Sequence, residues 1–397
     1  MKINRAYKTE LDPNRAQLLS LKKHAGAARF AFNWGLAIRI EEYKKTGKSP
    51  NAIEQHKQLN ALKETEFPWM YEVSKCAPQE ALRNLDKAYA NFFRRLKLLK
   101  EGKLKGIPER SSGVGFPKFK SKKKGLGSFR LTGAIHIEES KIQLPRMGKV
   151  SLKEKGYIPT DGVKINSATI SERAGRWFVS LSVEQEIKIE AVAAVPLSLR
   201  EPIGVDVGLN KMAVCSSGQI FENPKALRKN LRKLARVQRK MSRQKKESKR
   251  REITRLQIAK LHFHISNIRN DAIHKATSEI VAKSKPFSHR PSAIVIENLN
   301  VAGMLKNRRL SRAIADISFG EIRRQLKYKC LWNGIELIVA DRFFASSKTC
   351  SACGAVKSEL NLLEREYVCA SCGIIIDRDL NADLNLRKWP SRREGTL

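Results

Sequence analysis

Four cysteines near the carboxyl end have the spacing of a metal site. Cys350 and Cys353 form one CxxC pair, and Cys369 and Cys372 form a second pair after 15 intervening residues. Two such pairs can place four thiolates tetrahedrally around one Zn²⁺, which is the geometry of a closed structural site. We therefore expect one structural zinc ion in a zinc ribbon over residues 347–376.

Three carboxylates are candidates for a second metal centre of a different kind. Asp206 and Glu297 lie in strand-like segments far upstream, and Asp379 follows the second cysteine pair at the start of a predicted helix. A carboxylate in a buried strand is costly unless it is paired or binds a metal. Phosphodiester hydrolysis uses two divalent ions about 4 Å apart that carboxylates hold in place. The set predicts a catalytic site with two Mg²⁺ (or Mn²⁺) ions.

Each acid also has a structural interpretation when it is taken alone. Asp206 could end a turn, Glu297 could be an exposed acid at a strand end, and Asp379 could cap a helix. Asp341 and Asp377 lie nearby, and we interpret both as structural. The order of strand acid, strand acid and helix acid favours the catalytic interpretation of the set.

The charge of the chain indicates a polyanionic partner. The 397 residues include 78 Lys and Arg against 39 acids, a net charge of +39. Self-repulsion of this size costs stability, whereas contacts with phosphates release condensed counterions. A membrane role would need an apolar span, an amphipathic anchor or a lipidation motif, and we find none of these. We expect a cytoplasmic, nucleoid-associated protein with reduced thiols, in which Cys76, Cys215 and Cys330 are small apolar residues.

Hydrophobic periodicity predicts helical, all-β and α/β parts. An apolar stripe predicts a helix from about Pro78 to Leu99, and short alternating strands between Ser128 and Val183 favour a small antiparallel barrel. A buried-looking strand at Ile203–Val207 then begins the α/β part. A long basic helix is expected over residues 224–283, followed by a helix near Ile317–Trp332.

Two basic segments are candidates for contacts with a nucleic-acid backbone. Between Lys225 and Lys260 there are 16 Lys/Arg and two Glu, and a second basic run lies in a Gly- and Pro-rich loop. A run of charge is usually a solvated helix face, but this density on so basic a chain favours phosphate contact. The candidate residues are Lys118, Lys120, Lys122, Lys123, Lys124, Arg228, Arg232, Arg236, Arg239, Lys240 and Arg243.

The chain resembles TnpB, the RNA-guided nuclease of insertion sequences, which is similar to the smaller type V CRISPR effectors. The resemblance is carried by Gly115–Ser121, Gly204–Leu209, Ile296–Leu299, Asp341–Cys350 and Asp377–Ala382. It implies a fold of α/β, all-β and helical parts: a RuvC-like nuclease domain of RNase H type with a zinc ribbon insert, a wedge-type β-barrel and a helical recognition lobe. The expected division is 1–12 for the first barrel strand, 13–100 for the recognition lobe, 101–190 for the rest of the barrel, 191–346 for the first nuclease part, 347–376 for the ribbon, and 377–397 for the second nuclease part and tail.

The resemblance also implies a function and assigns residues to it. It implies a monomer on one guide RNA derived from the transposon end, which cuts double-stranded DNA beside a short target-adjacent motif. Asp379 matches the third catalytic acid because it precedes Leu-Asn-Ala. Asp383 is a departure, since the family often has Asn-Ala-Ala where this chain has Asn-Ala-Asp. The extra acid could perturb metal affinity.

The resemblance suggests which residues read the target-adjacent motif. Lys75, Gln79 and Arg83 are spaced by four and would form one polar stripe on a helix. Gln pairs with adenine in the major groove, and Lys and Arg favour guanine or phosphate. The alternative is a solvated helix face, and Pro78 could start the helix too late to include Lys75.

Two other functions remain open at this point. One is a non-cleaving RNA-guided repressor that only binds DNA, and the other is a guide-free DNA strand transferase. All three acids are present, which argues against the repressor.

Overall fold

The computed structural model describes residues 2–103, 114–122, 125–186, 201–281, 290–342, 344–360 and 364–389. The chain divides into two compact units, Met1–Ile187 and Lys188–Leu397. Two of the predicted backbone-contact residues, Lys123 and Lys124, lie outside the described ranges.

The first unit contains three long helices, α1 (Arg15–Thr46), α2 (Ala52–Thr65) and α3 (Cys76–Lys100). The first two begin with capping boxes, Asn14 with Gln17 and Asn51 with Glu54. In each, the asparagine side chain accepts from the backbone N–H of the third helical residue, whose own side chain accepts from the backbone N–H of the asparagine. A short 3-10 helix, Pro68–Glu72, leads into α3. The apolar stripe predicted for this last helix is largely buried.

A seven-stranded antiparallel sheet completes the first unit. Its strands are β1 (Lys2–Asp12), β2 (Ser128–Leu131), β3 (His136–Ile137), β4 (Lys141–Leu144), β5 (Gly148–Leu152), β6 (Val163–Arg173) and β7 (Arg176–Glu186), in the order β2-β6-β7-β1-β5-β4-β3. The first strand therefore joins strands from much later in the chain. Among the described residues β2 and β3 do not pair with each other, so closure of the barrel stays a prediction.

The second unit is built on a five-stranded mixed sheet. Its strands are β8 (Ile203–Asp206), β9 (Lys211–Cys215), β10 (Ile220–Glu222), β11 (Ala293–Ile296) and β12 (Glu336–Val339), in the order β10-β9-β8-β11-β12. The pairs β8–β11 and β11–β12 are parallel, and the other two are antiparallel. Val205 of β8 pairs with Ile296 of β11 in a parallel register. The residues that follow them, Asp206 and Glu297, therefore lie next to each other at the carboxyl ends of adjacent strands.

The helices of this unit are α4 (Ala226–Ser242), α5 (Lys249–Ile280), α6 (Val301–Met304), α7 (Ser311–Ile317), α8 (Phe319–Trp332) and α9 (Arg378–Arg387). The prediction of one basic helix over residues 224–283 is therefore wrong. The chain breaks between α4 and α5, where Glu247 adopts a φ of +69° and Ser248 caps α5. The helix expected near Ile317–Trp332 likewise begins only after Ser318, whose φ of +59° separates α7 from α8.

A two-stranded hairpin, β13 (Glu366–Val368) and β14 (Ile375–Asp377), has the second cysteine pair between its strands and is followed directly by α9. Tyr367 in β13 is fully buried, and its hydroxyl donates to the carbonyl of Lys348. No helix in the described part of the chain is long and apolar enough to cross a membrane.

Helix α9 lies unusually close to the central strand β8. A Cβ added to Gly204 would lie 2.1 Å from the carbonyl oxygen of Asp383 and 2.8 Å from the amide nitrogen of Arg387. Both are backbone atoms, so neither can move aside as a side chain would. Glycine at this position therefore allows the helix that carries Asp379 to pack against the strand that ends at Asp206.

We expect Gly204→Ala to destabilise the second unit by about 1–3 kcal/mol or more, because the added methyl group forces the helix off the sheet. The matched control is Gly320→Ala in α8, where an added Cβ meets nothing within 4 Å. That variant should keep or raise the stability by up to about 1 kcal/mol. Urea unfolding of both variants measures the difference, and equal midpoints would contradict the proposed close approach.

Candidate active site

The structure brings the three predicted acids to one pocket. Asp206, Glu297 and Asp379 line an opening of about 400 Å³ in the second unit. They come from the end of β8, the residue after β11 and the first turn of α9. Their catalytic role stays a prediction, but sequence segments far apart do meet at one place.

Asp206 is held at the crowded centre of this group. Its backbone N–H donates to Asp383 Oδ1 at 2.7 Å. Burial, together with the negative charges of Glu297 and Asp379, raises the pKa of Asp206 to about 7. Like charges gathered in a poorly solvated place disfavour ionisation, and a divalent cation would offset that cost.

Glu297 is half-buried and is oriented by a neighbour. The hydroxyl of Ser346 donates to Glu297 Oε1, and Ser346 also lines the pocket. The interpretation of Glu297 as an exposed acid at a strand end is therefore wrong.

Asp377 and Asp379 have separate tasks in the structure. Asp377 is the N-cap of α9, and its side chain accepts from the backbone N–H groups of Asp379 and Leu380, at 3.0 Å each. The interpretation of Asp379 as a simple N-cap is therefore wrong, because the preceding acid occupies that position. The carboxylate of Asp379 lines the pocket instead.

Asp383, the departure from the family pattern, lies behind the pocket. It is fully buried, and its second oxygen, Oδ2, has no hydrogen-bond partner among the described atoms. Burial and the charge of Asp206 raise the pKa of Asp383 to about 9. A neutral Asp383 at neutral pH adds no charge to the group, and its role in the structure is to hold the backbone of Asp206.

The same pocket has a cationic side that the sequence analysis missed. Lys211, Arg365 and Arg378 line it together with the acids, and they come from β9, the residue before β13 and the first residue of α9. Cations of this kind bind phosphate oxygens. On so basic a chain, only the folded structure singles them out.

The donor set fits divalent magnesium. Three carboxylates surround the pocket, and Mg²⁺ prefers oxygen ligands. Burial is the main cause of the raised pKa of Asp206, and the charges of Glu297 and Asp379 add to it, so a bound cation would favour its ionised form. Magnesium at these acids stays a prediction.

The four predicted zinc ligands form a compact cluster. Their sulfur atoms all lie within 4.8 Å of one another, with Cys350 3.6 Å from Cys372 and Cys353 3.6 Å from Cys369. A tetrahedron with Zn–S bonds of about 2.3 Å has edges of about 3.8 Å, so the cluster fits one ion. It is the only group of metal-binding side chains this compact in the described ranges.

The predicted motif-reading residues divide into two groups. Lys75 and Gln79 line a second pocket, of about 800 Å³, in the first unit, with Lys63 and Arg146. Arg83 lies outside that lining and forms a salt bridge with Glu80. The concern about Pro78 is unfounded, since Lys75 has helical φ and ψ and its carbonyl accepts the N–H of Gln79.

The basic candidates on α4 share an exposed position. Arg228, Arg232, Arg236 and Arg239 repeat every three or four residues along one side of the helix, Lys240 is next to Arg239, and Arg243 is the residue after α4. All six are solvent-exposed. In the loop, Lys118, Lys120 and Lys122 are also exposed. The ammonium of Lys120 lies 3.8 Å from the Phe32 ring centroid, and Asn33 hydrogen-bonds the Lys120 backbone through both its N–H and its carbonyl.

Comparisons with known proteins agree with this architecture. Residues 183–308 match the OrfB family of IS605, described as a probable transposase, and residues 319–386 match the Cas12f1-like TNB domain. A candidate RNA-guided DNA endonuclease of Streptomyces pristinaespiralis is 33% identical over 97% of this chain and 89% of its own. InsQ of Escherichia coli K12, with the same description, is 30% identical over 97% of this chain and 92% of its own.

This chain belongs to the TnpB (OrfB, IS605) family. The predicted resemblance is thereby confirmed. A Cas12f1 chain, solved in a complex with sgRNA and target DNA, shares the fold with a TM-score of 0.53 at 14% identity, covering 97% of this chain and 99% of the other. Residues 1–48 also match a helix-turn-helix model, but the structure there has strand β1 followed by one long helix, α1.

We expect Cys353→Ser to lower bound zinc and to loosen the ribbon, because three thiolates no longer form a closed cage. Zinc per chain, measured by mass spectrometry after dialysis, should fall well below one, and the thermal midpoint should fall with it. Cys76→Ser is the control, since Cys76 lies in the other unit. A full zinc complement in a Cys350/Cys353 double substitution would contradict the assignment.

The raised pKa of Asp206 predicts a pH-dependent stability in magnesium-free buffer. The folded chain keeps this proton up to about pH 7, whereas the unfolded chain loses it near 3.8, so the stability contribution is lost as pH rises between these values. Asp206→Asn is neutral throughout, so its stability advantage over the parent should grow from about pH 5.5 to pH 7 and then stay constant. Thermal midpoints across this range measure it, and an advantage that shrinks with rising pH would contradict the assignment.

Proposed function

We propose that this chain is an RNA-guided DNA endonuclease of a transposable element, with guide RNA derived from the transposon end. One observation carries the proposal. In a chain of the TnpB family, three acids from distant segments line one pocket, and cationic side chains line the same pocket. The relatives named above have this activity in their description, and the intact acid pocket favours cleavage over a purely DNA-binding role.

The pocket residues divide the work of phosphodiester hydrolysis. Asp206, Glu297 and Asp379 would hold two divalent ions, which supply Lewis acidity toward the scissile phosphate and lower the pKa of the attacking water. Ser346 orients Glu297, and Asp383 fixes the backbone of Asp206. Water would attack phosphorus and lose a proton to solvent, the P–O bond to the leaving oxygen would break, and that oxygen would take up a proton from solvent. Lys211, Arg365 and Arg378 would bind the phosphate oxygens that carry the charge.

Guide RNA and double-stranded DNA are the proposed partners. A net charge of +39 and the exposed cations of α4 support contact with nucleic-acid backbones. We further propose that residues 13–100 act as the recognition lobe, that β1 and residues 101–190 form the wedge-type barrel, and that residues 191–346 and 377–397 form the nuclease domain around the ribbon at 347–376. One protein chain is expected on each RNA.

The central experiment is guide-directed cleavage by variants of the acids. Asp206→Ala, Glu297→Ala and Asp379→Ala should each abolish cutting of a guide-matched plasmid while DNA binding persists, because guide pairing and basic contacts hold the DNA. Asp377→Asn is the matched control, since it keeps the helix cap and should keep most activity. If Asp377→Asn abolished cutting and Asp379→Ala did not, the assignment of Asp379 as the third metal ligand would be wrong.

The same assay distinguishes the alternative functions. Guide-dependent binding without any cutting would favour the repressor. Strand-joined products formed without RNA would favour the strand transferase. Sequencing the RNA that copurifies with the protein identifies the guide that the assay requires.

Reading of the target-adjacent motif is proposed for Lys75 and Gln79. Both line the pocket at the start of α3, and Gln pairs with adenine through two hydrogen bonds. Gln79→Ala should relax the preference at one motif position, a loss of about 1–3 kcal/mol of discrimination. A randomised library beside a fixed target measures it, and an unchanged preference with intact cleavage would place motif reading elsewhere.

A further inference from the structure

Asn385 makes an unusual set of contacts on the face of α9 that turns away from β8. It is fully buried, and its side-chain nitrogen lies 2.9 Å from the Ser346 carbonyl oxygen, 2.6 Å from that of Thr349 and 3.0 Å from that of Asn381. All three partners are acceptors, so the NH₂ end of the amide must face them. Its own carbonyl oxygen has no partner among the described atoms.

Two of these carbonyls, those of Ser346 and Thr349, belong to a segment that joins the acid pocket to the cysteine cluster. The segment runs from Ser346, whose hydroxyl holds Glu297, through Thr349 to the zinc ligand Cys350. Asn381 of α9 and Lys388, the residue that follows α9, also bind it. Asn381 donates to the Thr349 carbonyl and accepts from the Ser351 amide, and Lys388 donates to the Ser351 carbonyl.

These contacts link Glu297 and Asp379, which are not related to each other by any strand pairing. Asp206 and Glu297 are fixed to each other by the parallel register of β8 and β11. Asp379 is on a helix, and its place relative to Glu297 depends on two restraints: the packing of α9 against β8, and the contacts of α9 with the segment that begins at Ser346. Asn385 contacts that segment at both Ser346 and Thr349.

We propose that Asn385 is a positioning residue that fixes Asp379 relative to Glu297 and thereby sets the affinity of the acid pocket for divalent metal. The inference rests on the proposed function, since it takes these acids as metal ligands. Groups that orient ligands without touching the metal typically change its affinity about 10–100-fold when they are removed. An apolar side chain of similar size would fill the same space without holding the segment.

The test compares guide-RNA complexes that carry Asn385→Leu with those that carry Gln325→Leu. Gln325 is a matched control, because it is also a fully buried amide in the same unit, bonded to Thr277 and Glu321 and not to the pocket. Zinc content and thermal midpoint are measured first. Mn²⁺ binding is then followed by electron paramagnetic resonance, and the signal of an Asp379→Ala complex is subtracted to remove ions on RNA.

We expect Asn385→Leu to keep one zinc per chain and its DNA affinity, while the Mn²⁺ concentration at half-saturation rises about tenfold or more. Cleavage should show the same shift and recover at high Mn²⁺. A purely structural role would lower zinc content and the active fraction without moving the metal midpoint. A folded, zinc-loaded Asn385→Leu complex with a midpoint within about twofold of the parent would overturn the proposal.

Lys388→Met serves if Asn385→Leu does not fold, since Lys388 is solvent-exposed and hydrogen-bonds the same segment. A midpoint raised about threefold or more supports the proposal, and an unchanged one overturns it. If the parent complex cuts no guide-matched DNA, the proposed function fails, but the Mn²⁺-binding comparison still tests the role of Asn385.

Discussion

Four carboxyl groups gather beside one edge of a small sheet, and the cost of burying their charge is the constraint on which the second unit depends. Burial and neighbouring negative charges raise the pKa of Asp206 and of Asp383 far above the usual range of a carboxyl group. Such a group would separate if its members were on mobile loops. Each is instead fixed to a strand end or a helix.

The close approach of α9 to β8 is one half of that restraint. It needs a glycine at position 204 and is reinforced by the hydrogen bond between Asp206 and Asp383. The other half is the segment from Ser346 to Ser351. The ribbon holds one end of this segment, and the side chains of Asn381 in α9 and of Lys388 just after it hydrogen-bond to its backbone. The cysteine cluster therefore helps to fix the positions of the acids through the backbone that links the two, although no cysteine lines the acid pocket.

The sequence indicated the acids and the thiolates because their chemistry is costly anywhere else. Few kinds of site use an acid directly after an apolar strand, and few use a pair of CxxC motifs. The choice of Asp379 over Asp377 needed the family resemblance. Asn385 was missed because a lone amide in a polar helix has no pattern of its own. The break between α4 and α5 was missed because basic residues on both sides hide a turn at Glu247, which depends on backbone geometry. Arg365 and Arg378 could not be singled out among so many cations.

Strand β1 has a consequence for synthesis of the protein. Tyr7 donates a hydrogen bond to Gln185, 178 residues away, and nearly all of β1 pairs with β7. At about 5–20 residues per second, the amino-terminal strand leaves the ribosome roughly ten seconds or more before its partner exists. Until then both of its edges are open to other chains. Lys2 and Lys8 are exposed on β1. Charged side chains on an unpaired strand disfavour its pairing with another chain, so these lysines would protect β1 before β7 is made.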